Sequence, residues 1–158
     1  MLTEITGDLV KVREGIICHQ VNYYGVMGGG VAAAIADKIL TKDQYMAYAL
    51  YCKQAGRTAL GTVQFLGCCP GLVVANLFCQ DEELARVPGG ICITDYEMMR
   101  KCFKRVNSMA QLQRMKVYIP RNIGCGIAAG DWAEVMGILH EVFDDSPVEA
   151  VIVAREGS

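Results

Sequence analysis

Apolar positions along the chain follow two alternating rhythms. Short runs rich in β-branched or apolar residues, bounded by Gly, Pro, Asn or Asp, fall at 14–18, 61–66, Leu72–Phe78, 115–119 and 148–153 and predict strands. The last three show little polar alternation, as in strands buried on both faces. A further edge strand is expected at Leu2–Thr6 or at 9–12. Between these runs the spacing changes to three and four. Tyr45, Tyr48, Ala49 and Cys52 share one helical face, as do Tyr96, Met99, Phe103, Val106 and Ala110, and Trp132, Val135, Met136, Leu139 and Val142. Each stripe follows an N-cap with Gln or Glu three residues on: Thr41/Gln44, Thr94/Glu97 and Asp131/Glu134. A fourth helix is expected from Val31 to about Lys38, directly after Gly28-Gly29-Gly30. Strands alternating with helices, without a linker or repeat, predict one α/β domain over residues 1–158.

Composition narrows the function classes. Hydrophobic residues make up 53% of the 158, enough for a sizeable core, and only 20% are charged, which excludes intrinsic disorder. With 15 basic against 17 acidic residues the net charge is -2, so nothing drives non-specific nucleic-acid binding. The uncharged stretches 15–36 and 58–80 are interrupted by Gly, Pro, Asn, Gln and His, and neither reads as a membrane span. The opening Met-Leu-Thr-Glu-Ile has no basic or apolar leader character, so a cytoplasmic location without membrane attachment is expected. Eight cysteines (18, 52, 68, 69, 79, 92, 102 and 125) then read as reduced, mostly buried side chains. No Cys-x-x-Cys occurs and His19 and His140 are far apart, so no metal and no cofactor is expected.

Candidate chemistry lies in two glycine loops, each between a predicted strand and a predicted helix. In the first, the 14–18 strand runs through His19, Gln20 and Asn22 into Gly28, Gly29 and Gly30 and the helix at Val31. In the second, the 115–119 strand runs through Pro120, Arg121 and Asn122 into Ile123, Gly124, Cys125, Gly126, Ile127 and Ala128, before the Asp131-capped helix. Glycines remove side chains where a ligand approaches the backbone, and they turn free N–H groups and a helix N-terminus toward an anion. Loops at the carboxyl ends of α/β strands form the usual ligand crevice, so a diphosphate between the two loops is one reading. The other is that the glycines serve only close packing of strand on helix. Neither loop matches Gly-x-Gly-x-x-Gly or a P-loop.

Taken together, Gly7-Asp8-Leu9, the Asn22 loop, Gly28-Gly29-Gly30-Val31-Ala32 and Ile119-Pro120 with Ile123-Gly124-Cys125-Gly126-Ile127 before Trp132 resemble the macrodomain family. These are ADP-ribose-binding modules, and the resemblance covers about residues 1–154. The His19-Gln20-Val21-Asn22 segment is similar to the branch containing the yeast-type ADP-ribose-1''-phosphate phosphatase and the terminal ADP-ribose protein glycohydrolase. The resemblance implies a three-layer α/β/α fold with a central mixed, mostly parallel sheet. It implies an ADP-ribose or ADP-ribosylated partner, bound without catalysis or hydrolysed at the distal ribose. By position, Asp8 and Leu9 match the adenine contacts, Asn22 and Gly28 to Val31 the distal-ribose loop, and Gly124 to Ala128 the diphosphate loop. Asp8 and Asn22 also read as ordinary turn residues.

Two positions depart from the glycohydrolase pattern. That enzyme's Lys and Asp fall at Gln80 and Ala128, which can neither form a covalent adduct nor act as a base. Where relatives place an aromatic after the last strand, this chain has Ala154-Arg155. The resemblance leaves His19 as the catalytic candidate for proton transfer, with Asn22 orienting the ribose. Cys125, in a loop that would stabilise a thiolate, reads equally as a small packing residue.

Overall fold

The computed structural model describes residues 1–157. Its elements in chain order are β1 (Leu2–Thr6), β2 (Gly15–Val21), α1 (Gly30–Lys38), α2 (Lys42–Ala55), β3 (Val63–Cys69), β4 (Leu72–Phe78), α3 (Tyr96–Gln113), β5 (Val117–Pro120), α4 (Trp132–Phe143) and β6 (Ala150–Ala154). They form one six-stranded sheet in the order β1-β6-β5-β2-β4-β3. Every pair is parallel except β3 with β4. The exception follows from the connection: Pro70-Gly71, with Gly71 at φ +84°, is too short for anything but a hairpin. β5 and β6 are joined by the α4 crossover, and the remaining neighbours, which are not consecutive in the chain, also run parallel.

Alternation along β2 shows how the layers form. Ile16 and Cys18 point into the cluster that holds Phe103 of α3 and Leu139 and Phe143 of α4. Ile17 points the other way, toward Ile35 of α1, and Val21 toward Tyr48 and Cys52 of α2. The sheet is therefore covered on both faces, giving the three-layer α/β/α arrangement with a mixed, mostly parallel sheet. Cys18, Cys52, Cys79 and Cys102 lie in these cores, whereas Cys69 is exposed in the hairpin.

Several boundaries differ from the sequence reading. Leu2–Thr6 forms the weakly signalled edge strand, while the 9–12 alternative is a short 3₁₀ turn over Leu9–Lys11. β2 continues through Val21, which puts His19 and Gln20 in a strand rather than in the loop, because β4 extends equally far and supplies the ladder partners Asn76 and Leu77. Thr94 does not cap α3. It is buried, bridges Gln80 and donates its hydroxyl to the Gly124 carbonyl at 2.7 Å, and Asp95 caps the helix through the Met98 amide at 3.2 Å. The expected box between Thr94 and Glu97 is therefore absent. Asp131 caps α4 through the Ala133 amide at 2.9 Å without reciprocation from Glu134, and the complete capping box is that of Thr41 and Gln44. No helix among the described residues is long and apolar enough to cross a membrane.

Candidate functional site

β2 and β5 are parallel neighbours, so their carboxyl ends bring the two glycine loops side by side. Between them lies a cleft of about 620 Å³. His19, Gln20, Asn22, Gly28, Gly29, Gly30, Val31, Asn122, Ile123, Gly124, Cys125, Gly126, Ile127 and Ala128 all line it. Asp8 and Leu9 do not: Asp8 caps the 3₁₀ turn through the Val10 amide at 3.2 Å, and Leu9 packs under the sheet. Gln80 joins the lining, so both positions that depart from the glycohydrolase pattern face the cleft. Arg121 also lines it, with Nη1 3.2 Å from Glu4 Oε1 and its guanidinium 5.8 Å from the centre of the Trp132 ring.

The backbone leaves hydrogen-bonding capacity in both loops. The N-cap of α1 is Gly29, which has no side chain to satisfy the first-turn amides of Gly30, Val31 and Ala32. In the second loop, turn bonds from Cys125 to Asn122, Ala129 to Gly126 and Gly130 to Gly124 hold the chain, while the amides of Gly126, Ile127 and Ala128 find no acceptor among the described residues. A Cβ on Gly126 would meet nothing within 4 Å, and one on Gly29 would lie 3.7 Å from Ile127 Cδ1, so the loops almost meet over the cleft. Gly124 and Gly130 are glycines for packing reasons. A Cβ on Gly130 would come within 2.4 Å of the Gly124 carbonyl oxygen, and Gly124 itself sits at φ +72°.

Side chains hold the first loop from behind. Tyr45 accepts the Met27 amide at 2.9 Å, and Tyr48 donates to the Asn22 carbonyl at 2.8 Å. Asn22 bridges its own turn, donating to the Val26 carbonyl at 2.8 Å and accepting the Tyr24 amide at 3.0 Å. That is the turn geometry of the alternative reading, and one Nδ2 hydrogen remains for a ligand. Tyr23 is tied through its hydroxyl to buried Asp81 at 2.9 Å, and Asp81 in turn accepts Arg57 Nη2 at 2.8 Å. Burial pushes the Asp81 carboxyl up, but these donors outweigh it and hold the group below its ordinary range.

His19 is at the floor of the cleft, 1% exposed. Its Nε2 lies 2.5 Å from Asn76 Oδ1, Asn76 Nδ2 donates to Gln64 Oε1 at 3.1 Å, and Gln64 Nε2 donates to the Ala47 carbonyl at 3.3 Å. Because Asn76 spends its amide on Gln64, its oxygen faces the imidazole, which places the His19 proton on Nε2 and leaves Nδ1 as an acceptor. That Nδ1 is buried without a partner. Burial lowers the His19 pKa to about 4, only partly opposed by the Asn76 hydrogen bond, so the ring is neutral at physiological pH. Sequence reading missed this relay. Its members are cross-strand register partners on β2, β4 and β3, and no local pattern links them.

On the opposite sheet face Gln20 donates to Thr94 Oγ1 at 3.1 Å and accepts the Cys79 thiol at 3.0 Å, while Gln80 donates to Glu82 at 2.6 Å. Burial raises the Cys125 thiol, with Asp131 and Cys92 adding to the effect, so this residue is a protonated packing group rather than a thiolate. The lining carries no lysine and no carboxylate among the described residues.

The chain matches no family model in sequence and no curated protein. Solved structures do match. A protein of unknown function from Bacteroides thetaiotaomicron superposes with a TM-score of 0.85 at 27% identity over 98% of both chains. The macrodomain of Mycobacterium tuberculosis DarG superposes with a TM-score of 0.79 at 22% identity over 97% of both. Thermosipho africanus DarTG in complex with ADP-ribose gives 0.76 at 15% identity, over 99% of this chain and 42% of that one. The chain therefore has the macrodomain fold.

Proposed function

We propose that the cleft binds ADP-ribose, free or attached to another molecule, with the diphosphate between the two glycine loops. The observation that carries this reading is the pairing of unsatisfied donors: the uncapped first turn of α1 on one wall and the Gly126 to Ala128 amides on the other. Together they offer an anion site made of backbone, close to neutral in charge and open where side chains would intrude. The likeness in fold to a DarTG solved with ADP-ribose points to the same ligand. Asn22 and the Gly28 to Val31 backbone would hold the distal ribose, and the adenine would have to reach past the cleft lining to meet the Asp8–Leu9 turn. Calorimetry and thermal melting test it. ADP-ribose is expected to release heat and raise Tm by mass action, with AMP much weaker because it lacks the second phosphate and distal ribose. No heat and no Tm change with millimolar ADP-ribose overturns the proposal.

A second reading, hydrolysis at the distal ribose, is favoured by one observation: the unpartnered Nδ1 of His19 at the cleft floor. Nδ1 is sealed from solvent in the free protein; in the bound state a neutral imidazole with its proton on Nε2 would orient a water molecule by accepting its hydrogen bond there, the water oxygen then facing the ribose-linked bond of ADP-ribose-1''-phosphate or of an ADP-ribosyl ester. His19→Ala is then expected to cut turnover by roughly 100-fold while changing ADP-ribose affinity far less. If wild-type protein binds ADP-ribose but cleaves neither substrate class, the protein is a reader of ADP-ribose and not a hydrolase.

A further inference from the structure

The far edge of the sheet carries a second groove, remote from the glycine loops. It has a volume of about 570 Å³ and runs between β3 and the outer face of α3. Its floor is Val63, Phe65 and Met109, half-buried against the main core, and Leu112 at its end is 77% exposed. Its rim is Lys101, Lys104 and Arg105, three exposed cations within little more than one turn of α3. Spacing of three and four puts them on one helix face, where like charges repel one another. None makes an ion pair among the described residues, whereas nearby Arg100 is paired with both Glu97 and Glu141. No carboxylate among the described residues lines the groove.

The strand beside these cations has no strand partner on its outer side. Among the described residues β3 is the last strand of the sheet and pairs as a strand with β4 alone, while its Gly67 carbonyl accepts Gln44 Nε2 of α2 at 2.8 Å, so the open stretch is 63–66. In an antiparallel pair alternate residues turn their backbone N–H and C=O outward, so β3 offers an open hydrogen-bonding edge next to the apolar floor. Basic side chains usually protect such an edge from a second copy of the same chain, since two copies would bring like charges together. An extended peptide of opposite charge meets no such barrier. We propose that β3 and α3 form a docking site for an acidic, extended peptide segment of a partner protein, which adds a strand to β3, lays apolar side chains on Phe65 and Met109, and sets its carboxylates against Lys101, Lys104 and Arg105.

The test uses the whole protein and a fluorescent heptapeptide, Glu-Thr-Val-Thr-Asp-Thr-Ile, whose acidic and apolar side chains share one face of a strand. Saturable binding is expected below about 1 mM peptide, weakening as salt rises. In nuclear magnetic resonance the Val63 to Gly67 amides are expected to shift while those of Gly126 to Ala128 do not. The triple variant Lys101→Glu, Lys104→Glu, Arg105→Glu is expected to lose at least about tenfold in peptide affinity with an unchanged Tm, because all three side chains are solvent-exposed. No binding to the wild type, amide shifts outside β3 and α3, equal binding by the triple variant, or equally tight binding of a single-stranded oligothymidylate would each overturn the proposal. Unaltered ADP-ribose binding by the same variant separates this surface from the cleft.

Discussion

The two glycine loops leave neighbouring parallel strands and enter helices, yet they finish those helices in opposite ways. α4 is closed by Asp131, whose carboxylate accepts the Ala133 amide, and its loop is braced by its own turn bonds together with the Thr94 hydroxyl on the Gly124 carbonyl and the Ile93 amide on the Ala128 carbonyl. α1 opens on Gly29 with no side-chain acceptor, and its loop is braced instead by Tyr45 and Tyr48 of α2. The other two helices are also capped, by Thr41 and Asp95, so among the described residues α1 alone of the four helices is left open, and it is the helix that begins at the cleft. Glycine in place of a capping side chain costs roughly a few tenths of a kcal/mol of helix stability, a loss that an anion at the N-terminus can restore. In this fold the capped helix is closed by its own side chain, and the uncapped one leaves its first-turn amides free at the cleft.

That contrast can be broken experimentally. The largest expected effect is on affinity: Gly29→Glu or Gly126→Glu puts a carboxylate where the diphosphate is proposed to lie, lowering ADP-ribose affinity by roughly 100-fold or more. Both positions have open space or only ordinary contact for a Cβ, so circular dichroism and Tm should remain close to wild type. If either variant binds normally, the anion does not lie on that loop.

The next effect separates the strands feeding the loops, since only β2 carries a histidine into the site. The His19 pKa of about 4 in the folded protein lies below its ordinary 6.5, so the unfolded chain binds more protons between these values. Stability attributable to His19 is complete above about pH 6.5 and falls by up to about 3 kcal/mol as the pH drops through 4. Urea titrations from pH 7 to 4 should show this slope, and His19→Gln should flatten it. Over pH 5.5 to 8 any turnover that depends on His19 as a neutral acceptor should not change with that group's ionisation.

Smaller effects test bracing against capping. Gly130→Ala drives a methyl group into the Gly124 carbonyl and should cost roughly 2 kcal/mol in urea unfolding, together with ADP-ribose binding, because the Gly130 amide and the Gly124 carbonyl close the turn of the second loop. Asp131→Ala should cost about 1 kcal/mol and leave affinity nearly unchanged. Gly29→Asp sharpens the contrast most directly. Its extended backbone accepts any residue, so the new cap should add a few tenths of a kcal/mol to apo stability while weakening ADP-ribose binding. Equal affinity in Gly29→Asp and wild type would show that the α1 terminus does not meet the ligand.

Much of this was legible along the chain. Strand and helix positions followed from the spacing of apolar residues, because a buried face must repeat with the period of its own backbone. The two loops followed from glycines at strand-to-helix junctions, and together with Gly7-Asp8-Leu9 they carried the resemblance to macrodomains. Boundaries were less legible: Thr94 and Asp95 are both acceptable caps, and only the bridge to Gln80 and the carbonyl of Gly124 assign Thr94 elsewhere.

The sequence by itself determined the α/β class, the helical faces and the two glycine loops at strand-to-helix junctions, since each rests on residues close together in the chain. Tertiary structure alone decided the rest. It set His19, Asn76 and Gln64 in one row across β2, β4 and β3, fixing the imidazole tautomer and leaving Nδ1 unpartnered. It also put β3 at the sheet edge beside the cationic face of α3. Both depend on which strands become neighbours and in what register. Strand pairing over long sequence separations is selected by the burial of the whole sheet between its two helical layers, and no local stretch of sequence records it.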